Sequence, residues 1–114
     1  MAFPGRAKAA TTAPAPRNTT FDRRELLRIL DLYGRMVAAG EWRDYAIAFL
    51  KDRAVFSVFR RASEQPLYSI EKIPALARKQ GEYAVVSSAG FVLKRGRDLD
   101  RVLAVIDKRL SVVN

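Results

Sequence analysis

Apolar residues recur at helical spacing in two segments of the chain, one near each end. In the first segment, Asp22 and Glu25 form the pattern of a helix N-cap with a capping box, and Gly40 marks a natural end. Its predicted buried stripe consists of Leu26, Leu27, Leu30, Tyr33 and Val37, widened by Ile29 and Met36. In the second segment, Asp98 precedes apolar residues at one-face spacing: Leu99, Val102, Leu103, Ile106 and Leu110. Each segment is therefore predicted to form a long helix.

Alternation with a period of two replaces helical spacing between these helices and predicts β-strands. Bulky residues at 45, 47 and 49 alternate with alanines, and residues 54–59 continue after a polar turn as the second strand of a hairpin. The further predicted elements are a loop at 61–66, a strand at 67–72, a short helix at 75–80 and a hairpin of 83–87 with 91–94. Because short connections favour antiparallel neighbours, we predict an α+β fold. It is a two-layer sandwich, with a mostly antiparallel four- to five-stranded sheet and two long helices on one face.

The length of 114 residues suits one small domain, which we place at 21–114. Residues 1–20 are rich in Ala, Thr and Pro and are predicted to form a disordered tail. The longest uncharged stretch within the predicted domain, 83–93, is too short to cross a bilayer. The N-terminus also lacks the continuous apolar segment of a secretory signal, so a cytoplasmic location is expected.

The chain contains no histidine and no cysteine, which are the side chains that most nucleophilic, redox and transition-metal sites use. A dyad of Ser87 or Ser88 with Lys94 is conceivable, but serine in a hairpin turn normally serves the turn. Asp98 and Asp100 are the closest acidic pair, and a helix cap with a first-turn charge explains both. We therefore expect no catalytic residue, cofactor or metal, and the protein is not expected to be an enzyme.

A formal net charge of +9 indicates attraction to anionic partners. Three basic residues lie in the predicted tail, and the others include clusters next to predicted strand ends and on the short helix. We hypothesise that these clusters share one edge of the sheet, the basic rim, formed by Arg60, Arg61, Arg78, Lys79, Lys94, Arg95 and Arg97. The alternative is an ordinary solvated surface that keeps a small protein soluble.

The second predicted strand is apolar on both sides, which indicates that both faces of the sheet are covered. Two helices on one face leave the other face to the short helix or to a partner, and a homodimer is the economical choice. The residues predicted to form this apolar interface are Tyr45, Ile47, Phe49, Phe56, Val58 and Phe59.

Three stretches carry a resemblance to known sequences. They are FDRRELLRILDLYGRMVAAGEWRDYAI at 21–47, AVFSVFRRASEQPLYSIEK at 54–72 and LKRGRDLDRVLAVID at 93–107. Together they resemble an uncharacterised alphaproteobacterial family of small proteins, a domain of unknown function. The resemblance implies a small bacterial cytosolic protein, and it brings no activity, cofactor or site residue with it.

Two functions are consistent with these patterns. The first is a non-catalytic interaction or adaptor module, alone or as a homodimer, that binds a protein partner through an apolar sheet face and the basic rim. The alternative is a nucleic-acid-binding regulator that holds RNA or DNA electrostatically at the same rim. Neither predicted helix has the continuous basic face of a groove-reading helix, because Asp31 interrupts Arg24, Arg28 and Arg35 on the first.

Overall fold

Five antiparallel strands, in the order in which they follow one another along the chain, form the sheet of this protein. The computed structural model describes residues 17–61 and 65–107. Its helices and strands are α1 (Arg23–Ala38), β1 (Asp44–Phe49), β2 (Ala54–Phe59), β3 (Tyr68–Lys72), β4 (Tyr83–Ser87), β5 (Val92–Gly96) and α2 (Leu99–Leu103). Two 3-10 turns, Pro74–Leu76 and Ala104–Ile106, complete the elements. The prediction of an α+β fold with an antiparallel sheet is confirmed.

Some of the predicted features fall on residues outside these described ranges. Residues 1–16 of the expected tail, residues 62–64 of the expected loop and Leu110 of the last helical stripe lie outside the described residues. Residues 17–20, which belong to the predicted tail, are held against the end of β1. The Asn18 side chain donates to the Phe49 carbonyl at 2.6 Å, and the Thr19 amide donates to the Leu50 carbonyl at 2.7 Å.

The N-terminus of α1 is built as its local sequence predicts. The Asp22 carboxylate accepts a hydrogen bond from the Glu25 amide at 2.8 Å, and the Glu25 carboxylate accepts one from the Asp22 amide at 2.8 Å. This reciprocal pair satisfies two main-chain donors that the first turn of a helix leaves without partners. The helix then continues for 16 residues.

The buried face of α1 differs from the stripe predicted above. The buried residues are Glu25, Ile29, Leu32 and Met36. Leu27 is 56% exposed and Val37 is 41% exposed, so these two predicted core positions are wrong. The reason is that a carboxylate belongs to the buried row, which sets the rotation of the helix about its axis and turns Leu27 and Val37 outward.

The second helix is shorter than predicted, and the expectation of two long helices is wrong. Asp98 caps it by accepting from the Asp100 amide at 3.0 Å, as expected. Only five residues are α-helical, and three more form a 3-10 turn. At Asp107 the backbone becomes extended, and the buried Asp107 carboxylate pairs with Arg35 of α1 at 3.3 Å. The helical conformation thus ends at a residue that is joined to α1 by an ion pair.

Both helices lie on one face of the sheet. On this covered face, the stacked rings of Tyr45 and Phe56 have centroids 4.9 Å apart, and the Tyr33 ring of α1 meets that of Tyr45 at 5.0 Å. α2 contacts β4 and β5, and its residues Val102 and Leu103 are fully buried. The main core therefore lies between the helices and one side of the sheet, in the predicted two-layer arrangement.

An ion pair joins α1 to the middle of the sheet inside this core. The Glu25 carboxylate accepts a hydrogen bond from the Lys72 ammonium of β3 at 2.7 Å and another from the Tyr83 hydroxyl of β4. The Lys72 ammonium also donates to the Thr20 carbonyl at 3.1 Å. The Glu25 side chain is buried, and the Lys72 side chain is 14% exposed. A buried charge is tolerated because it is paired and hydrogen-bonded.

Glu25→Gln is expected to destabilise the fold strongly, because it leaves the Lys72 ammonium buried without a countercharge. Breaking one side of a buried ion pair costs about 3–5 kcal/mol. The matched control is Asp31→Asn, which removes the exposed i, i+4 pair with Arg35 on the same helix and should cost less than about 1 kcal/mol. Urea denaturation of both variants measures the difference. Equal losses in the two variants would contradict the role given to Glu25.

Gly81 lies where the chain entering β4 passes close to the end of β5. Its φ is +105°, and a Cβ atom there would lie 2.3 Å from the main-chain carbon of Gly96. Gly34 of α1 has open space around it instead. Only glycine therefore fits at position 81, whereas position 34 accepts a larger residue.

Gly81→Ala is expected to lower the free energy of unfolding by about 2 kcal/mol or more, since it combines an unfavourable φ with main-chain overlap. Gly34→Ala is expected to raise it by about 0.5–1 kcal/mol, the usual gain of alanine over glycine inside a helix. The two midpoints in urea, compared with that of the unchanged chain, test both signs. A neutral Gly81→Ala variant would mean that the approach to Gly96 is looser than described.

Candidate functional site

The predicted basic rim is divided between the two ends of the sheet. Asp44 pairs with Phe59 at one end, and Tyr83 pairs with Gly96 at the other. Arg60 and Arg61 follow Phe59, whereas Arg97 follows Gly96. A strand of this length separates its ends by roughly 17 Å. A single continuous rim containing all seven residues is therefore a wrong prediction.

Four of the seven residues belong to the same end of the sheet. The segment carrying Arg78 and Lys79 connects β3 to β4 there, and two arginines of β5 and its following loop hold it. The Arg95 side chain donates to the Gly81 carbonyl at 3.4 Å, and the Arg97 Nε donates to the Ala77 carbonyl at 2.9 Å. These arginines use main-chain carbonyls as partners, so their positive charges are not neutralised by the contacts.

The predicted apolar interface is also corrected. The register places Tyr45, Ile47 and Phe49 of β1 opposite Val58, Phe56 and Ala54 of β2. Five of the six predicted interface residues belong to the core cluster under α1 or pack against it: Tyr45, Ile47, Phe49, Phe56 and Val58. They stabilise the chain itself and are not free for a partner. Phe59, the sixth residue, alternates to the other face and is buried there.

Among residues 17–61 and 65–107, the largest group of adjacent exposed apolar residues lies instead on and before β5. Phe91 is 70% exposed, Val92 is 50% exposed and Leu93 is 43% exposed. The other large exposed apolar residues of the described chain are separated from one another in sequence, which is normal for a protein surface. Together with Lys94, Arg95 and Arg97, the apolar residues form what we call the β5 edge surface.

The hairpin that presents this surface is shaped by a serine and a glycine. The Ser87 hydroxyl accepts from the Phe91 amide at 3.2 Å, and the Ser87 amide donates to the Phe91 carbonyl at 2.8 Å. Gly90 has a φ of +92°, a conformation that residues with a side chain rarely adopt. The hairpin thereby fixes the main chain of Phe91 while its side chain remains exposed.

β5 is an edge strand with an irregularity. Within the described ranges it pairs only with β4. Val85 is opposite Lys94 and the next residue, Val86, is opposite Val92. Leu93 is therefore the extra residue of a β-bulge, a feature common on edge strands and able to increase local twist.

The basic residues of this surface form no ion pairs within the described parts of the chain, although Asp98 directly follows Arg97. No carboxylate in 17–61 or 65–107 forms an ion pair with Lys94, Arg95 or Arg97. The arginines of α1 differ in this respect, since Arg28 pairs with Asp100 and Arg35 pairs with Asp107. The β5 edge surface therefore combines exposed apolar area with unneutralised charge.

A cleft of about 740 Å³ lies between the first half of α1 and the start of α2. The Glu25 carboxylate and the Tyr83 hydroxyl lie along it, and the Arg28–Asp100 pair joins the two helices beside it. Most of its charged groups are paired within the chain. Although Arg28 is paired with Asp100 through its Nε atom, its buried Nη1 atom has no hydrogen-bond acceptor among the described residues. Most of the charged groups that line the cleft therefore already have partners within the chain.

The residues considered above as catalytic candidates have ordinary structural roles. The Ser87 hydroxyl serves the hairpin, Asp98 caps α2, and Asp100 pairs with Arg28. In the described part of the chain, no three carboxylates are grouped in a way that could hold a metal ion. No helix in that part is long and apolar enough to cross a bilayer.

Comparison with family models gives a match over most of the described chain. The family described as "Protein of unknown function (DUF2794)" matches residues 19–103. No curated protein and no solved structure matches the chain. The matched residues include both helices and the whole sheet, and the β5 edge surface lies within them.

Two tyrosines on the covered side of the sheet have altered acidity. Burial, followed by the charge of Asp44, raises the pKa of Tyr33 to about 12. Its hydroxyl donates to the Arg43 carbonyl at 2.9 Å. Burial, followed by the hydrogen bond to Glu25, raises the pKa of Tyr83 well above its usual range. Both phenols are therefore held in the protonated form.

Tyr33 is expected to lose its proton near pH 12 in the folded chain and near pH 10 in the unfolded chain. A raised folded pKa means that its contribution to stability is complete below pH 10 and is lost as the pH rises through 12. The near-ultraviolet absorbance of tyrosinate follows the titration, and Tyr33→Phe should remove one late-titrating group. That variant should also lose less stability between pH 10 and 12 than the unchanged chain. A Tyr33 titration at pH 10 in the folded state would contradict the assignment.

Proposed function

We propose that this chain, which belongs to the DUF2794 family, is a non-catalytic interaction module that binds a protein partner at the β5 edge surface. The family description assigns no activity, so the proposal is argued from the surface of the protein. The observation that carries the proposal is the adjacency of Phe91, Val92 and Leu93, all exposed on one edge of the sheet. Contiguous exposed apolar residues flanked by polar groups mark protein interaction sites. We also propose the alphaproteobacterial source and the cytoplasmic location expected from the sequence.

The charge distribution supports a protein partner over a nucleic acid. Arg60 and Arg61 lie at the opposite end of the sheet from Arg97. The arginines Arg28 and Arg35 of α1 are bound to carboxylates within the chain. A nucleic-acid site normally gathers several free cations along one backbone track. The basic residues near β5 are instead adjacent to exposed apolar side chains, an arrangement typical of protein interfaces.

A variant carrying Phe91→Ser and Leu93→Ser is expected to lose the partner while keeping the fold, because both side chains are exposed and such changes cost about 0.5 kcal/mol or less. The measurement is affinity capture from nuclease-treated lysate of the native cell, with tagged full-length chain. Proteins retained by the unchanged chain should be lost with this variant. Circular dichroism and a urea midpoint check that the variant is folded.

The matched control is Leu50→Ser, which removes a similarly exposed leucine at the other edge of the sheet. It should retain the captured proteins. Capture that survives in the Phe91→Ser, Leu93→Ser variant would show that the partner binds elsewhere. Capture that occurs in untreated lysate and is absent after nuclease treatment would favour the nucleic-acid alternative and overturn the proposal.

A further inference from the structure

The outer side of β5 presents main-chain groups as well as side chains. Among residues 17–61 and 65–107, β4 is its only strand neighbour. An edge strand leaves every second residue's N–H and C=O without a ladder partner. The main-chain groups of Phe91 are used inside the hairpin by Ser87. After Phe91, the main-chain N–H and C=O groups of successive β5 residues point alternately towards β4 and away from it. Some of these groups therefore face away from the sheet.

The basic side chains of β5 project to both faces of the sheet. Lys94 is opposite Val85, which belongs to the core side, and Arg95 is opposite Ala84, which alternates to the other side. Arg97 follows directly in the loop before α2. The strand therefore offers one positive charge on each face and a third at its end, in addition to its main-chain groups.

We propose that the partner contributes an extended segment containing acidic residues, which pairs with β5 as a sixth strand of the sheet. This inference rests on the proposed function and specifies the partner at the same surface. Main-chain hydrogen bonds hold such an added strand, and its alternating side chains supply specificity. Carboxylates on the two sides of the segment meet Lys94 and Arg95, and its apolar residues cover Val92 and Leu93.

Charge favours this occupant over a second copy of the chain. Residues 91–97 contain three basic residues and no acidic one. Pairing β5 with its own copy in any register gathers twice that positive charge in one short ribbon, which is unfavourable. An acidic segment reverses the sign of that interaction. The bulge at Leu93 further discourages flat, repeated stacking of identical edges.

The test uses full-length chain and three labelled synthetic peptides, read by fluorescence anisotropy. One peptide carries two adjacent Glu residues within a run of Val, so that one carboxylate projects to each face of the added strand. The second peptide replaces both Glu residues by Lys, and the third is the acidic peptide with a proline beside the Glu pair, which lacks an amide donor and breaks strand pairing. We expect only the first to bind with a measurable dissociation constant. On its addition, amide hydrogen exchange of β5 should slow, because an added strand protects main-chain donors of the edge.

The Lys94→Glu, Arg95→Glu variant is expected to bind the acidic peptide about tenfold more weakly or worse, because attraction becomes repulsion. The matched control is Arg60→Glu, Arg61→Glu, which makes the same charge change at the opposite end of the sheet and should leave the dissociation constant within about twofold at moderate salt. Thermal melting verifies that both variants fold. A single-stranded RNA oligonucleotide serves as competitor and should not displace the peptide.

Several outcomes would overturn the inference: equal binding of acidic and basic peptides, undiminished binding of the proline peptide, unchanged exchange of β5, or equal weakening in both charge variants. Displacement by RNA would also overturn it in favour of a phosphate-binding surface. If the peptides fail but capture still depends on Phe91 and Leu93, the strand-addition inference fails and the proposed function remains. If that capture fails as well, both are wrong.

Discussion

The buried carboxylate of Glu25 is the contact on which the arrangement of helix and sheet depends. It accepts hydrogen bonds from the start of α1, from Lys72 of β3 and from Tyr83 of β4. A charge inside a protein is costly unless all its partners are in place. α1 therefore packs in one rotational setting, since a turn about its axis would separate the carboxylate from the sheet. That setting places Ile29 and Leu32 in the core.

The local features of the fold could be predicted from sequence, and the long-range ones could not. The capping box at Asp22 and the β1–β2 hairpin depend on residues a few positions apart, so pattern and spacing were sufficient. The rotation of α1 depends on a partner 47 residues away, and the end of the second helix depends on an Arg35–Asp107 pair 72 residues apart. Apolar periodicity contains no signal for either pair. A charged residue in a buried row therefore misleads the prediction of the core stripe.

For the candidate site, the features that could be predicted from the sequence differ from those of the fold. In an antiparallel meander the ends of β2 and β5 lie at opposite ends of the sheet, so a count of five strands was enough to separate Arg60 from Arg97. One continuous basic rim is incompatible with that constraint. The exposure of Phe91 could not be obtained from sequence in the same way. An apolar triplet has the same pattern in a central strand and in an edge strand, and only the strand order distinguishes them.

The composition of β5 reflects two opposing requirements on an edge strand. Exposed apolar residues and unpaired main-chain groups favour association with any extended chain, including aggregation. Lys94, Arg95 and the bulge at Leu93 oppose that association, as charges and irregularities do on other sheet edges. The charges do not oppose all partners equally, because they repel basic or identical segments and attract acidic ones. The same residues that protect this edge from its own copies therefore select the kind of chain that can pair with it.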